Sequence, residues 1–214
     1  QNTVAWISAD TNITTSHAEL SLEHGSTYYF SVRATDVVEN VSSPGMSNGI
    51  TIDTLHPVIN LIAETTSEDP YFQGSDSSIA LFWDADDDLS GIEHYEYGLG
   101  SSMGATDIID WTDAGTDQSV TITDLNFDEG STYYGAIRVF DRAGNMTESH
   151  GNGVIVDITA PETGSGIDIT DLDNTSDQSY TGSPTVLQAS WSGFTDNLSG
   201  IDIYEYGVGS ASLA

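Results

Sequence analysis

The chain repeats itself, and an internal repeat constrains the architecture more tightly than local propensity does. Residues 25–29 recur identically 105 positions later at 130–134, as Gly-Ser-Thr-Tyr-Tyr. Residues 95–98 recur 109 positions later at 204–207, as Tyr-Glu-Tyr-Gly. The period is therefore about 107 residues, which is half of the 214-residue chain.

The apolar residues within one period alternate along the chain. In the middle of the chain Ile79, Leu81 and Trp83 occupy every second position, and turns rich in Gly, Asn, Asp and Ser separate this run from later ones. This pattern is typical of antiparallel strands with one buried face, and helical spacing is not sustained anywhere. The same alternation recurs in further runs that contain Tyr95, Tyr97, Leu99, Tyr133, Ile137, Val139, Val154 and Val156. The sequence predicts an all-β chain of tandem antiparallel β-sandwiches.

The phase of the repeat divides the chain into three parts. Residues 1–54, the N-terminal segment, are expected to form the C-terminal half of one sandwich; residues 55–158, the central unit, a complete sandwich; and residues 159–214, the C-terminal segment, the N-terminal half of another. Counted against the central unit, Gln1 resumes the repeat where Ala214 leaves it. Half a sandwich does not bury its own core. Two interpretations stay open: a window on a longer repetitive polypeptide, or terminal halves that neighbouring subunits complete.

Aromatic positions in the repeat carry a family resemblance. A Trp lies late in the second strand of the central unit, a Tyr-x-Tyr pair marks the third, and residues 22–28 follow the pattern Leu-x-x-Gly-x-x-Tyr, with a copy at 127–133 that begins with Phe. The chain resembles the fibronectin type III domain, an immunoglobulin-like sandwich. The resemblance implies a tyrosine corner at Tyr28 and Tyr133, in which the phenol bonds back to the backbone of the turn between the sheets.

The chain also departs from that family. His24 and Glu129 stand where the family's tyrosine-corner segment carries proline. The segments Ala-Thr-Asp-x-x-x-Asn at 34–40 and Ile-Asp-Thr-x-x-Pro at 52–57 look like repeats of large bacterial or archaeal extracellular surface proteins and adhesins. Because such sandwiches host many functions, the resemblance predicts the fold more firmly than the function.

The net charge of the chain narrows the classes of molecule that it can bind. Thirty-four acidic residues face three arginines, lysine and cysteine are absent, and the formal net charge is -31. Such a surface repels nucleic acids and anionic lipid, and no run of about 18 apolar residues suggests membrane insertion of this segment. A saline or calcium-containing exterior suits this charge, which predicts an extracellular or cell-surface location. The acidic surface is interpreted either as a solvation layer or as a set of divalent-cation sites.

The fold expected from the resemblance brings acidic turns together where consecutive units meet. Calcium takes about 6–8 oxygen ligands from carboxylates, amides and carbonyls, so converging turns predict a Ca²⁺ site that stiffens the joint. The alternative is a set of solvated loops. The candidate ligands at the first joint are Asp53, Asp84, Asp86, Asp87, Asp88, Asp141 and Asn145. Those at the second joint are Asp157, Asp196 and Asn197.

Other chemistry is weakly indicated. The five histidines are scattered without metal-site or nucleophile spacing, so no catalytic residue and no cofactor other than Ca²⁺ is predicted. Five Asn-x-Ser/Thr sequences are formal glycosylation acceptors. These are Asn12, Asn40, Asn145, Asn174 and Asn197.

The leading functional hypothesis is a structural or adhesive stalk of stacked units that projects from a cell surface and lacks enzymatic activity. The second hypothesis is a filament subunit whose terminal halves are completed by neighbouring copies through strand pairing. The third is a carbohydrate-binding accessory module, which requires exposed aromatic side chains among Trp6, Trp83, Trp111 and Trp191. In the first two, the expected partners are neighbouring copies of the same repeat, within a chain or between subunits.

Overall fold

The computed structural model describes residues 4–66, 68–173, 176–177, 179–183 and 185–210, with the backbone alone for 165–167, 172–173 and 176–177. Gln1 and Ala214, on which the phase match of the repeat depends, and the candidate acceptor Asn174 lie outside these residues.

All regular elements in the described part of the chain are β-strands, and every pairing except one is antiparallel. The N-terminal segment contains β1 (Thr27–Tyr28), β2 (Ser31–Val32), β3 (Gly45–Met46) and β4 (Ile50–Thr51). The central unit contains β5 (Val58–Glu64), β6 (Phe72–Gln73), β7 (Ile79–Asp86), β8 (Ile92–Gly100), β9 (Ile109–Gly115), β10 (Ser119–Ile122), β11 (Thr132–Asp141), β12 (Met146–His150) and β13 (Val154–Val156). The C-terminal segment contains β14 (Glu162–Asp173), β15 (Ser176–Asp177) and β16 (Gln188–Thr195).

The nine strands β5 to β13 form two sheets. One sheet has the order β10-β7-β5, and the other has the order β6-β13-β11-β8-β9, with β12 also paired to β11. The exception to antiparallel pairing is β6, which runs parallel to β13. Each sheet joins strands distant in sequence, as in the Greek-key connections of immunoglobulin-like sandwiches. The predicted fold class is confirmed: the chain is all-β and built on the fibronectin type III or immunoglobulin-like sandwich. The limits 54/55 and 158/159 stay a prediction.

The alternation of buried and less buried side chains along the strands explains which residues form the core. Along β7, buried and less buried side chains alternate over eight residues, which places Ile79, Leu81 and Trp83 on the inner face. From the opposite sheet Leu99 and Ile137 meet them, and both are fully buried. Trp83 packs against the rings of two tyrosines of β8 at centroid distances of 6.0 and 6.4 Å. The cluster is completed by Ala85, Tyr95, Ile122, Phe127, Tyr133, Val139, Val154 and Val156.

The tyrosine corner occurs twice. The phenol oxygen of Tyr133 accepts a hydrogen bond from the backbone N of Asp128 at 3.0 Å, and that of Tyr28 accepts one from Glu23 N at 3.1 Å. Gly130 and Gly25, at the turn, have φ of 74° and 75°, a left-handed conformation that glycine adopts without strain. The corner expected from the resemblance is therefore present at both positions.

Replacing Tyr133 by phenylalanine is expected to lower the free energy of unfolding by about 1–2 kcal/mol, because the half-buried N–H of Asp128 loses its acceptor. Urea unfolding measures the change. Tyr71→Phe is the matched control, since the Tyr71 side chain is 73% exposed and should tolerate the same change with little effect. Equal loss in both variants would contradict this account of the corner.

A buried carboxylate links the two sheets. Glu64, the last residue of β5, is fully buried, and its Oε1 accepts a hydrogen bond from Gly135 N of β11 at 2.9 Å. A Cβ at Gly151 would overlap this carboxylate, so the neighbouring chain segment is shaped around it. Burial raises the pKa of Glu64 to about 7, and the nearby Asp69 carboxylate adds to the rise.

The two terminal segments expose side chains whose counterparts are buried in the central unit. Val32 is 68% exposed in the N-terminal segment and Val208 is 70% exposed in the C-terminal segment, whereas their counterparts Ile137 and Leu99 are fully buried. The described residues hold no helix with the length and apolar character needed to cross a membrane.

Candidate functional site: the acidic joints between units

The first joint is built around Asp53, which follows the last strand of the N-terminal segment. Its Oδ2 accepts a hydrogen bond at 3.0 Å from the backbone N of Ser90, in the turn between β7 and β8 of the central unit. The Asp53 side chain is 2% exposed. Hydrogen bonding from Ser90, through its side chain and its backbone, lowers the pKa of the Asp53 carboxyl. A carboxylate from one unit thus holds the turn of the next and is ionised at neutral pH.

The second joint has the same construction. The Oδ2 of Asp157 accepts a hydrogen bond at 2.9 Å from the backbone N of Ser199, the counterpart of Ser90. Hydrogen bonding from Ser199 likewise lowers the pKa of Asp157. The leucine before each serine is partly exposed, and the Leu198 side chain lies near Gly130. The contact between the aspartate carboxylate and the serine backbone N is therefore repeated at both joints, and we call this contact the carboxylate clamp.

The turn that receives the clamp is held by an aspartate of its own. Asp87 Oδ2 accepts hydrogen bonds from Gly91 N at 2.6 Å and from Leu89 N at 3.2 Å. In the second joint Asp196 Oδ1 accepts from Gly200 N at 2.8 Å. Gly91 and Gly200 have φ of 78° and 81°, which this tight turn requires and which glycine adopts readily.

Three of the predicted ligands meet at the first joint. One carboxylate oxygen each of Asp53, Asp87 and Asp141 lies within 4.8 Å of the other two. Asp141 is fully buried, and its Oδ1 accepts hydrogen bonds from Ala143 N at 2.9 Å and Asn145 N at 2.8 Å. Asp87 Oδ1 is buried and has no hydrogen-bond partner among the described residues. Three carboxylates, each of which accepts hydrogen bonds through at least one oxygen, and the unpartnered Asp87 Oδ1 form a concentrated negative site.

The predicted ligand Asn145 supports this cluster through its amide. Its Nδ2 donates to Asp141 Oδ2 at 2.7 Å and to the carbonyl oxygen of Asp53 at 3.3 Å, which ties the clamp to the turn after β11. The counterpart turn has the same geometry, because Asn40 Nδ2 donates to Asp36 Oδ2 at 2.8 Å. Both donors of the Asn145 amide are therefore engaged.

Asp88 belongs to a second group of ligating atoms, with His24 and Asp53. His24 Nδ1 accepts a hydrogen bond from Thr54 N at 3.2 Å, so the ring proton lies on Nε2, which is 3.5 Å from Asp88 Oδ2. The Asp88 side chain is 57% exposed. The histidine that stands where the family carries proline thus connects two units.

Asp84 and Asp86 lie elsewhere. Strand β7 extends to Asp86, so these two side chains follow the alternation of the strand and lie on its exposed face. There Asn60 Nδ2 donates to Asp84 Oδ2 at 3.2 Å and to Asp86 Oδ2 at 2.9 Å. The structure does not bring them to the joint.

The second joint repeats the clamp and the turn aspartate of the first joint but not its group of three carboxylates. Asn197 is exposed, and no group of three ligating atoms among the described residues includes Asp157 or Asp196. Of the glycosylation candidates, Asn12, Asn40 and Asn197 are exposed and Asn145 is half-buried. The metal and glycosylation assignments stay predictions.

The serines were not predicted from the sequence. Ser90 and Ser199 recur within the Ser-Gly-Ile segments of the repeat, but nothing in the residues marks a backbone N–H as the partner of an aspartate. Recurrence of an aspartate at 53 and 157 together with a serine at 90 and 199 is the feature from which the contact could have been inferred.

The chain is similar to parts of two known proteins. No family model matches the chain. In sequence it is 28% identical over 172 residues to Exoglucanase B of Cellulomonas fimi, a match that covers 76% of this chain and 13% of that protein. Among solved structures, the crystal structure of chicken CNTN1 FN1-FN3 domains aligns at 16% identity with a TM-score of 0.41, covering 66% of this chain and 46% of that one. The fold class rests on the strand order and core described above.

Proposed function

We propose that the chain is a non-catalytic spacer of tandem sandwiches, held at a fixed spacing by the carboxylate clamps. The observation that carries this proposal is the repetition of the clamp, with Asp53 to Ser90 N at 3.0 Å and Asp157 to Ser199 N at 2.9 Å. A joint made twice with the same geometry relates consecutive units in the same way, as a stalk requires. The ten residues of β11 correspond to about 33 Å along the strand, which sets the scale of one unit.

We place this spacer outside the cell, at a cell surface. A formal net charge of -31 without lysine favours an environment in which salt or divalent cations screen repulsion. The similarity to part of Exoglucanase B is compatible with a module attached to extracellular machinery. Adhesion at the tip of such a stalk is part of this proposal.

Distances across the first joint test the spacer. The chain has no cysteine, so spin labels placed at Ile13→Cys and Met103→Cys, exposed positions on either side of the joint, report the distance across it. We expect a narrow distance distribution in the parent chain and a broad one after Asp53→Ala, because Ser90 N loses its acceptor. Asp117→Ala, an exposed acidic residue away from the joint, is the control and should leave the distribution narrow. A broad distribution in the parent chain would refute a rigid spacer.

We further propose that the first joint binds Ca²⁺ through Asp53, Asp87 and Asp141. The buried Asp87 Oδ1 without a partner supports this, because an isolated buried carboxylate oxygen is costly unless a cation or donor meets it. The cation would act mechanically, by neutralising the cluster and tightening the clamp.

Calcium is expected to raise the melting temperature of the chain by several degrees relative to EDTA, since a ligand that binds only the folded state stabilises it by about 2.7 kcal/mol at 100 times its Kd. Asp87→Asn should abolish the increase, because it removes the charge from the cluster. Asp86→Asn, one residue away on the exposed side of β7, should retain it. Differential scanning calorimetry at matched ionic strength separates binding from screening, and an equal increase in both variants would refute the site.

The tryptophans give less support to carbohydrate binding. Trp83 is 3% exposed within the core, and the guanidinium of Arg138 lies 3.9 Å from the centroid of Trp111. Arg33 lies 4.3 Å from the centroid of Trp6 in the same way. The arrangement favours packing over a sugar-stacking surface.

A further inference from the structure

The loop between β5 and β6 contains Asp69-Pro70, the one Asp-Pro sequence of the chain. An Asp-Pro bond is unusually sensitive to acid, because the aspartate carboxylate can attack its own backbone carbonyl and the proline nitrogen, which carries no hydrogen, accepts a proton readily. The reaction needs a carboxylate and a proton donor at the same time. In an unfolded chain the two coexist only near the carboxyl pKa of about 4, so the bond is stable at neutral pH.

The fold places a proton donor beside Asp69. The Oδ1 of Asp69 accepts a hydrogen bond from the backbone N of Glu64 at 3.2 Å. Glu64 is fully buried, and no hydrogen-bond donor among the described residues meets its Oε2. Burial, the charge of Asp69 and a hydrogen bond to the Asp69 carboxylate raise the pKa of Glu64 to about 7. Since a hydrogen bond between two carboxyl groups requires a proton, the pair holds one proton and one negative charge up to neutral pH.

The surroundings of Glu64 leave Asp69 as the charged group that acts on it. From β11 the carboxylate meets the backbone N of Gly135, and after β12 it meets Gly151. In β7 the residue paired with Glu64 is Leu81. Within the described residues no cation competes for the proton of the pair.

The backbone of Asp69 is strained. Its φ is 54°, in the left-handed region that favours glycine, whereas a residue before proline is ordinarily extended. Asp69 N donates to Thr66 O at 3.0 Å and Thr66 N donates to Glu64 O at 2.9 Å, which holds the loop in this conformation. Breaking the bond to Pro70 releases the strain, so the folded chain favours cleavage more than the unfolded chain does.

We propose that the folded chain cleaves its own Asp69–Pro70 bond, with the Asp69 carboxylate as nucleophile and Glu64 as proton donor. A side-chain oxygen of Asp69 bonds to the backbone carbonyl carbon of the same residue, the bond from that carbon to Pro70 N breaks, and the proton of Glu64 passes to Pro70 N. The products are a cyclic anhydride at Asp69 and a chain that begins at Pro70.

Water completes the reaction, and it has access because Pro70 is exposed and Asp69 is only half-buried. It opens the anhydride to the two carboxyl groups of a C-terminal Asp69, and one of the released protons returns to Glu64. The net change is hydrolysis of one peptide bond. This activity goes beyond the spacer function and does not depend on the carboxylate clamps.

Cleavage separates β5 from the rest of the central unit in the covalent chain. The seven residues of β5 stay paired with β7, so the sandwich keeps its strands. In the proposed spacer, force across the cut unit would then pass through noncovalent contacts alone. The central unit would therefore come apart under a load that an intact chain withstands.

Mass spectrometry of the purified chain tests the activity, through products that span residues 1–69 and 70–214. At pH 6 we expect the folded chain to be cleaved about 100-fold faster than the urea-unfolded chain, because pH 6 lies about two units above an ordinary aspartate pKa but below that of Glu64. Above pH 7 the rate in the folded chain should fall about tenfold per pH unit. Hydroxylamine should capture the anhydride as a hydroxamate at Asp69, which a contaminating protease would not produce.

Three variants separate the roles. Glu64→Gln still accepts from Gly135 N but has no acidic proton, so cleavage at pH 6 should slow about 100-fold in a chain that stays folded. Glu68→Gln, an exposed neighbour, should cleave like the parent, and Pro70→Ala should resist, because an alanine nitrogen accepts a proton less readily.

Three results would overturn the proposal: a parent chain that stays intact, equal rates in the folded and unfolded chains, or cleavage of Glu64→Gln at the parent rate. The spacer function would survive each of them, since its test measures the first joint.

Discussion

Replacing Trp83 by alanine is expected to lower the free energy of unfolding of the central unit by about 3–5 kcal/mol, the range for removal of a buried aromatic side chain. The Trp83 side chain is 3% exposed and packs against Tyr95 and Tyr97. Its indole N–H has no hydrogen-bond partner among the described residues, so the loss is one of packing. Urea unfolding followed by circular dichroism measures the change without relying on tryptophan fluorescence.

The matched control is Trp111→Ala. Trp111 is partly exposed at the edge strand β9 and contacts the guanidinium of Arg138, an interaction worth about 0.5–1 kcal/mol at exposed sites. The two variants remove the same atoms, so the difference between them reports the burial of Trp83 less the contact of Trp111 with Arg138. Similar destabilisation by both would mean that Trp83 does not occupy the core described above.

The fold could be predicted because its determinants are local and recur. Alternation along 79–83 marks a strand buried on one face, and the pattern Phe-x-x-Gly-x-x-Tyr at 127–133 predicted the corner bond that the structure shows between Tyr133 and Asp128. The aromatic arrangement recurs around Trp191, which lies 5.9 and 6.2 Å from the rings of two tyrosines. Because the chain repeats, the residue patterns that predict the fold occur in more than one unit.

The site could be predicted only in part, because the sequence does not distinguish an aspartate at the end of a strand from one in the turn that follows. Asp84 and Asp86 belong to β7 and lie on its exposed face, whereas Asp87 begins the turn and points to the joint. Successive residues of a strand lie on opposite faces, so an error of one residue in the predicted end of the strand assigns a carboxylate to the wrong side. The buried position of Glu64 was also not predicted, since a glutamate at the end of a strand is ordinarily solvated.

Glu64 should make the stability of the central unit fall as pH rises. Its pKa is about 7 in the folded chain, against a usual value of 4.5, because burial disfavours the charged form and Asp69 repels it. Between these values the folded chain keeps a proton that the unfolded chain has released, so the free energy of unfolding decreases with pH. The full effect, complete above pH 7 and absent below 4.5, is about 3 kcal/mol.

Replacing Glu64 by glutamine is expected to remove this dependence. The amide oxygen can still accept from Gly135 N, and the uncharged side chain carries no cost of burying a charge at high pH. The variant should therefore match the parent near pH 4.5 and exceed its stability at pH 8. The measurement is a pair of urea titrations at each pH, with Glu68→Gln, an exposed neighbour, as control. Subtracting the variant from the parent cancels the titration of the other acids and of the histidines. Parallel pH profiles for parent and Glu64→Gln would show that this carboxyl titrates alike in the folded and unfolded chain, and burial would then have no electrostatic consequence at this position.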